Sequence, residues 1–266
     1  MRLEGKVAII IGAGQSPGEG LGNGRATAIR FAQEGAKVLA VDRDIDSAQE
    51  TAELVKKEGA ECLTFEADVT NESSVADAIG CARKKWARVD VLHNNVGVSI
   101  AGGDQPLLEL TEETFDRINA VNLRGAIMAC KHVIPVMRAQ RSGVILNISS
   151  IASWVEYPLV VYKTTKAAMI AFTQQLALQN AAYGIRANVI LPGLMNTPMA
   201  IEPRVKTSGK ARDTVIAERD ANVPLRGKMG TAWDVANAAL FLASDEAQFV
   251  TGVALPVDGG ALARMG

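Results

Sequence analysis

The chain has 266 residues, of which 48% are hydrophobic and 21% charged, enough apolar material for one sizeable core and compatible with a single α/β domain. Its formal charge of -1 supplies no net positive field to hold a polyanion, which argues against nucleic acid and membrane surfaces as partners and in favour of small molecules. Cys62, Cys81 and Cys130 are unclustered, and His93 and His132 have no Cys, Asp or Glu at ligand spacing, so no metal is expected and a reducing cytoplasm fits best.

The opening stretch MRLEGKVAIIIGAG is apolar only briefly and ends in glycines, so it reads as a buried strand rather than a secretory signal or a membrane span. From there, runs rich in branched residues alternate with longer amphipathic segments. The runs are KVAIII from Lys6, KVLAV from Lys37, ECLTF from Glu61, VDVLH from Val89, GVILNI from Gly143, IRANVIL from Ile185 and GVALPV from Gly252. Helices are expected to begin near Asn23, Asp46, Asn71, Thr111, Leu159 and Thr231, with Thr111 as a cap. Such alternation predicts a Rossmann-type doubly wound parallel sheet of about seven strands with helices on both faces. No repeat or Gly/Ser linker divides residues 1–266, which read as one domain. One segment breaks the rhythm: from Met195 to Pro224 the chain is polar, mixed in charge and bordered by prolines. It reads either as a substrate lid over 195–224 or as a solvated surface insertion with a short helix.

Between the first run and the first helix lies IGAGQSPGEGLGNGRATA, Ile11 to Ala28. A strand-turn-helix unit points backbone N–H groups and the positive end of a helix at whatever sits above the strand, which makes an anion site. Side chains would keep a pyrophosphate away, so glycine is needed at the turn and small residues after it. Gly12, Gly14, Gly22 and Gly24, with Gln15 and Asn23 beside them, are the candidate cofactor-binding positions in this turn. Asp42 ends the second run, at roughly the 20-residue offset expected for a carboxylate that accepts ribose hydroxyls. A carboxylate there repels a ribose 2'-phosphate, by about 4 kcal/mol for unit charges about 4 Å apart at an effective dielectric of about 20. NAD(H) is therefore expected, with NADP(H) still open because Arg43 would either pair with that phosphate or stack on adenine.

Beyond the GVILNISS strand comes YKTTK, Tyr162 to Lys166. Residues four apart share a helix face, so phenol and ammonium point the same way, and a nearby cation is expected to lower the phenol's pKa. Taken together with ADV ending at Val69, NNVG from Asn94 to Gly97, VNLRG with Asn122, NISS with Ser150, PGLMNTP from Pro192 and VDGG ending at Gly260, the chain resembles the short-chain dehydrogenase/reductase family in its classical branch. That resemblance implies Tyr162 as general acid/base, Ser150 positioning the substrate oxygen, Lys166 lowering the tyrosine pKa and holding the nicotinamide ribose, and Asn122 anchoring a water in the proton relay. It further implies that Asp68 and Val69 contact adenine, that Asn95, Val96 and Gly97 line the cofactor groove, and that Pro192, Gly193, Met195 and Thr197 embrace the nicotinamide. The activity it implies is hydride transfer between NAD(H) and a secondary alcohol or ketone. A cis-dihydrodiol or cyclic-polyol dehydrogenase is the alternative within the family, and a non-catalytic dinucleotide sensor the alternative outside it. The helix after Tyr162 and the apolar GVALPVDGG are similar to the family's subunit contacts and imply a homotetramer, or failing that a dimer.

Two departures from the family pattern stand out. The glycine turn is lengthened, which leaves its phosphate contacts open, with Glu19 expected to face solvent because a carboxylate beside a pyrophosphate is unfavourable. The loop between Ser150 and Tyr162 is one residue shorter than usual, and its Trp154 and Tyr157 either line the substrate site or simply pack. Ser149 and Ser153 are expected to do turn chemistry and His93 to be a satisfied core histidine, while the basic residues Arg204, Lys206, Lys210 and Arg212 of the 195–224 segment read either as a solvated charge run or as favouring an anionic substrate.

Overall fold

The computed structural model describes residues 1–265. Among them the apolar runs form a seven-stranded sheet: β1 (Val7–Ile11), β2 (Lys37–Asp42), β3 (Cys62–Glu66), β4 (Val91–Asn94), β5 (Gly143–Ile148), β6 (Ile185–Pro192) and β7 (Ala254–Val257). The order is β3-β2-β1-β4-β5-β6-β7 and every pairing is parallel. Successive residues of a strand face opposite sides. Ile9, Ile11, Leu39 and Val41 enter one core with Leu92 and Ile145, whereas Ala8, Ile10, Val38 and Ala40 enter the other with Leu146 and Ile190. Both faces are thus covered, which is why the strands read as continuous apolar runs rather than as alternating ones.

The helices are α1 (Asn23–Gln33), α2 (Ile45–Lys57), α3 (Glu72–Trp86), α4 (Glu112–Asn119), α5 (Gly125–Gln140), α6 (Val160–Asn180), α7 (Pro198–Ser208), α8 (Arg212–Asp220) and α9 (Ala232–Ala243). Helices α1, α2 and α9 pack on one face of the sheet; α3, α5 and α6 pack on the other. Side-chain caps start several of them: Asp44 accepts from the Ser47 N–H at 3.1 Å, Asn71 from Ser73 at 3.0 Å and Thr111 from Thr114 at 3.2 Å, while Thr231 and Asp234 form a capping box.

Three sequence expectations need correction. The VDVLH run is a registered strand only from Val91; before it the Asp90 backbone still donates to the Val7 carbonyl and accepts from the Val144 N–H, each at 2.8 Å, while the Asp90 side chain accepts the Val7 N–H at 2.8 Å and binds the Arg88 guanidinium. The helix expected from Thr111 is interrupted at Ala120–Arg124 by a π-helical turn before α5 begins. Finally, the segment 195–224 carries two helices rather than one short one, α7 and α8, packed around Ile201, Val223 and Met229. No helix among the described residues is long and apolar enough to cross a membrane.

Candidate active site

The sheet order reverses between β1 and β4, and the crevice outside the strand ends at that point is the ligand position of an open α/β sheet. Here it is a cleft of about 590 Å³. Its walls include every cofactor position expected from the sequence: Gly12, Gly14, Gln15, Gly22, Asn23, Gly24, Asp42, Arg43, Asp68, Val69, Asn95, Val96, Gly97, Tyr162, Lys166, Pro192, Gly193, Met195 and Thr197. Of the four expected catalytic residues, Ser150, Tyr162 and Lys166 line it, and Asn122 does not.

Two glycines make the turn possible. Gly12 has φ +84, and a Cβ at Gly24 would stand 1.9 Å from the Gly12 carbonyl oxygen, a backbone atom that cannot yield. Helix α1 consequently begins almost in contact with the end of β1. Its N-cap, Gly22, offers no side chain to its first N–H groups, so these remain available to an anionic ligand. Gln15 braces the lengthened loop instead of facing a phosphate: its Oε1 accepts the Gly22 N–H at 3.1 Å and its Nε2 donates to the Gly20 carbonyl at 3.3 Å. Glu19 is exposed, as expected, and pairs with Arg212 of α8 at 3.3 Å. The extra residues therefore lean toward α7 and α8. On the far side, Asp42 accepts the Gly14 N–H through Oδ2 at 2.9 Å and the Asp44 N–H through Oδ1 at 3.1 Å, which fixes its carboxylate at the cleft wall. This bare turn, open helix end and fixed carboxylate fit a dinucleotide. Among the described residues no three His, Cys, Asp or Glu side chains converge on a metal-sized site.

The reactive side chains come from β5 and α6. Tyr162 stands in the first turn of α6, and that turn is capped from afar: Asp104, buried, accepts the Tyr162 N–H at 2.7 Å and the Val161 N–H at 3.3 Å. Sequence reasoning misses Asp104 because the helix's own cap position, Leu159, has no capping side chain, and the partner lies 58 residues away. Ser150 follows the last residues of β5, and its Oγ accepts the Ala152 N–H at 3.2 Å. The Ser153 hydroxyl caps the same small turn, while the Ser149 hydroxyl donates to the Lys166 carbonyl at 2.6 Å and locks α6 to β5.

Lys166 is buried, donates from Nζ to the Ile148 carbonyl at 2.8 Å and lies 5.8 Å from the centre of the Tyr162 ring. Glycine at residue 97 leaves room for it, since a Cβ there would come 3.0 Å from Nζ. Burial lowers the Lys166 pKa to about 8. In this geometry the Lys166 cation lies beside the Tyr162 ring rather than on its hydroxyl. Burial pushes the phenol up to about 12, and the groups that pull it down are the Ser150 hydroxyl and the Arg204 guanidinium, with the Tyr157 phenol pushing it further up. The ammonium is directed at a backbone carbonyl and is not among them.

Asn122 sits in the π-turn, buried, with its Oδ1 accepting the Val98 N–H at 2.7 Å and its Nδ2 donating to the Val98 carbonyl at 2.9 Å. Its side chain therefore fastens the segment after β4 rather than facing the cleft. Tyr157 does face the cleft, its ring 5.5 Å from that of Tyr162 and its hydroxyl 3.2 Å from Ser99 Oγ, whereas Trp154 is exposed and stands outside it. Arg204 and Arg219 also line the cleft. For Arg204 this goes against the solvated reading, and Arg219 carries no sequence signal that sets it apart.

A parallel sheet with a glycine turn at its reversal point is the architecture of a Rossmann-type, dinucleotide-binding fold, here with a Ser, Tyr and Lys set beside the turn. Comparison with known proteins narrows this. A family profile described as enoyl-(acyl carrier protein) reductase matches residues 19–261. The 2-(R)-hydroxypropyl-CoM dehydrogenase of Xanthobacter autotrophicus is 38% identical over 257 residues, covering 96% of this chain and 97% of that protein. A crystal structure from Burkholderia xenovorans, assigned to the short-chain dehydrogenases/reductases, superposes with a TM-score of 0.91 at 42% identity, covering 99% of this chain and 98% of the other. An NAD+-bound xylitol dehydrogenase superposes with a TM-score of 0.87 at 30% identity over 98% of this chain and 100% of its own. The chain belongs to the short-chain dehydrogenase/reductase family of oxidoreductases.

Proposed function

We propose that the protein interconverts a secondary alcohol and a ketone with NAD(H), using Tyr162 as general acid and base. The observation that carries this reading is the meeting, in one cleft, of the glycine turn and Asp42 with the Ser150, Tyr162 and Lys166 side chains. The N–H groups of Asn23 and Gly24 would hold the pyrophosphate, Asp42 the adenosine ribose, and Asp68 and Val69 the adenine, leaving Asn95 to Gly97 and Pro192 to Thr197 beside the nicotinamide. When bound, the nicotinamide supplies the two-electron acceptor or donor for the carbinol carbon. Ser150 holds the substrate oxygen, and Tyr162 gives it a proton as the phenol during reduction or takes one from it as the phenolate during oxidation. A phenol kept protonated by burial suits the first of these directly. Lys166 presents its cation on the same side, steadied by Ile148. The Asp42 carboxylate favours NAD(H) over NADP(H), and an NAD+-bound structure among the relatives is consistent with that choice.

The test is Tyr162→Phe. Turnover is expected to fall by about three orders of magnitude or more, since general acid/base catalysis contributes on that scale, while NADH binding followed by fluorescence stays close to wild type. Unchanged turnover would refute the role given to Tyr162.

A cis-dihydrodiol or cyclic polyol is a second reading with a specific support: the Tyr157 ring lies beside that of Tyr162 and its hydroxyl meets Ser99 Oγ in the cleft wall, where a second substrate hydroxyl would find partners. A panel of vicinal diols read by NADH absorbance separates it from simple ketone reduction. We further propose a homotetramer, with α6 and the β7 edge as the subunit contacts, working in the cytoplasm.

A further inference from the structure

We propose that the cleft carries an oxyanion subsite, formed by Arg204 of α7 and Arg219 of α8, and that the substrate is accordingly an alcohol or ketone bearing a carboxylate, sulfonate or phosphate group. This rests on the oxidoreductase reading above and specifies its substrate class. The starting observation is an imbalance of charge. In the same segment Arg212 pairs with Glu19 at 3.3 Å and with Glu202 at 3.1 Å, Lys210 pairs with Glu218, and Lys206, which forms no ion pair among the described residues, is exposed to solvent outside the cleft. Neither Arg204 nor Arg219 has a carboxylate partner among the described residues. Arg204 donates from Nη1 to the Ala200 carbonyl at 2.7 Å, and Arg219 from Nε to Met229 Sδ at 3.3 Å. Both are half-buried and both form part of the cleft wall.

Their neighbours place them at the substrate end. Arg204 is bonded to the carbonyl of Ala200, a cleft-lining residue of α7 just after the loop from Pro192 to Thr197, and both arginines share the cleft wall with Tyr157 and Tyr162. Asp42, Asp44 and Asp68 lie on the adenosine side, and Glu156, in the loop before α6, lines the cleft next to Tyr157 but pairs with neither arginine. Burial, and then Arg204 itself, drive the Arg219 pKa down to about 10, against the weaker opposing pull of Tyr157 and Asp220. Two half-buried guanidiniums lining one cavity, neither with a paired carboxylate, repel each other and lose hydration. An oxyanion relieves both costs, and the planar fork of each guanidinium matches it with paired N–H donors. Neutral substrate groups relieve neither.

The experiment compares matched substrates and variants on the NAD(H)-loaded protein. Wild type is expected to turn over beta-hydroxybutyrate or a longer hydroxycarboxylate with a kcat/KM at least about tenfold above that of the matched carboxamide, the scale of one charge-assisted contact. R204Q and R219Q are expected to reduce that ratio by about tenfold each, mainly through KM, whereas K206Q, an exposed lysine of the same helix outside the cleft, keeps it. Calorimetry provides a readout independent of turnover and of variant yield: butanesulfonate is expected to bind wild-type protein holding NADH, and butanol is not. An anionic preference absent from wild type, or one that survives in both arginine variants, overturns the subsite and leaves the oxidoreductase reading standing. Weaker NADH binding in those variants without any change in preference also overturns it, by assigning the arginines to the cofactor. Arginine-dependent butanesulfonate binding with no turnover of any alcohol or ketone supports the subsite and overturns the oxidoreductase reading instead.

Discussion

His93 pairs in register with Ile10 of β1 and Leu146 of β5, and its ring stands edge-on to Phe31 at 6.4 Å. Neither ring nitrogen has a hydrogen-bond partner. The run VDVLH places this residue in the core correctly, but the satisfied histidine expected there is not found, because the pattern that buries a side chain does not contain its partners. Burial drives its pKa down from 6.5 to about 3. Between those values the unfolded chain binds a proton that the folded chain refuses, so stability is lost as the pH falls through this window. His93→Leu, which keeps an apolar side chain of similar size, is expected to raise stability at neutral pH by about 1–3 kcal/mol, the cost of buried unpaired polar groups. It should also flatten the loss on acidification. Urea unfolding of both proteins at neutral and mildly acidic pH measures this, and parallel losses would count against it. Tyr162 and Lys166 offer the same lesson in the site: their spacing is legible, while the sign of the tyrosine's shift depends on a desolvation that only the packed cleft supplies.

Individual elements differ in how much of themselves they display. The strands are readable because a parallel sheet covered on both faces demands unbroken apolar runs. Helices α7 and α8 are not, because few of their residues are buried: Pro198 and Ile201 in one, Val215 in the other. The break between α4 and α5 escapes detection for a different reason, since a π-turn has no turn or cap signal of its own. For α1 the glycine pattern announces the element, and the packing shows which glycine is indispensable. Gly24→Ala would drive a Cβ into the Gly12 carbonyl, whereas Gly80→Ala, in the middle of α3, meets nothing within 4 Å. The first is expected to weaken NADH binding by about tenfold or more through a shift of α1 of the kind that overpacking imposes. The second should stabilise the protein by about 1 kcal/mol, the difference in helix propensity. Fluorescence titration and denaturant midpoints test the pair together, and similar behaviour of the two variants would contradict the assignment.

At the scale of the molecule, apolar side chains remain on the surface of the elements proposed for assembly. Leu178 on α6 is 78% exposed and Phe249, shortly before β7, is fully so. Light scattering is expected to report a tetramer, and Leu178→Glu to shift it toward smaller species; wild type that is monomeric at micromolar concentration would overturn the proposal. The strand order is the part of the architecture that apolar runs cannot announce, because it is set by which crossovers pass over which strands. That order has a consequence for how the protein can change. Because β4 returns to the side of β1, with Asn94 in register with Ile11, the wall proposed for adenosine and pyrophosphate, from Gly12 to Val69, is complete before the chemical wall from Ser150 onward begins. The two walls are thus written in separate halves of the gene product. Substitutions around Tyr157 and in α7 and α8 can therefore reshape the substrate end while the Gly12 turn and Asp42 keep their grip on an adenosine.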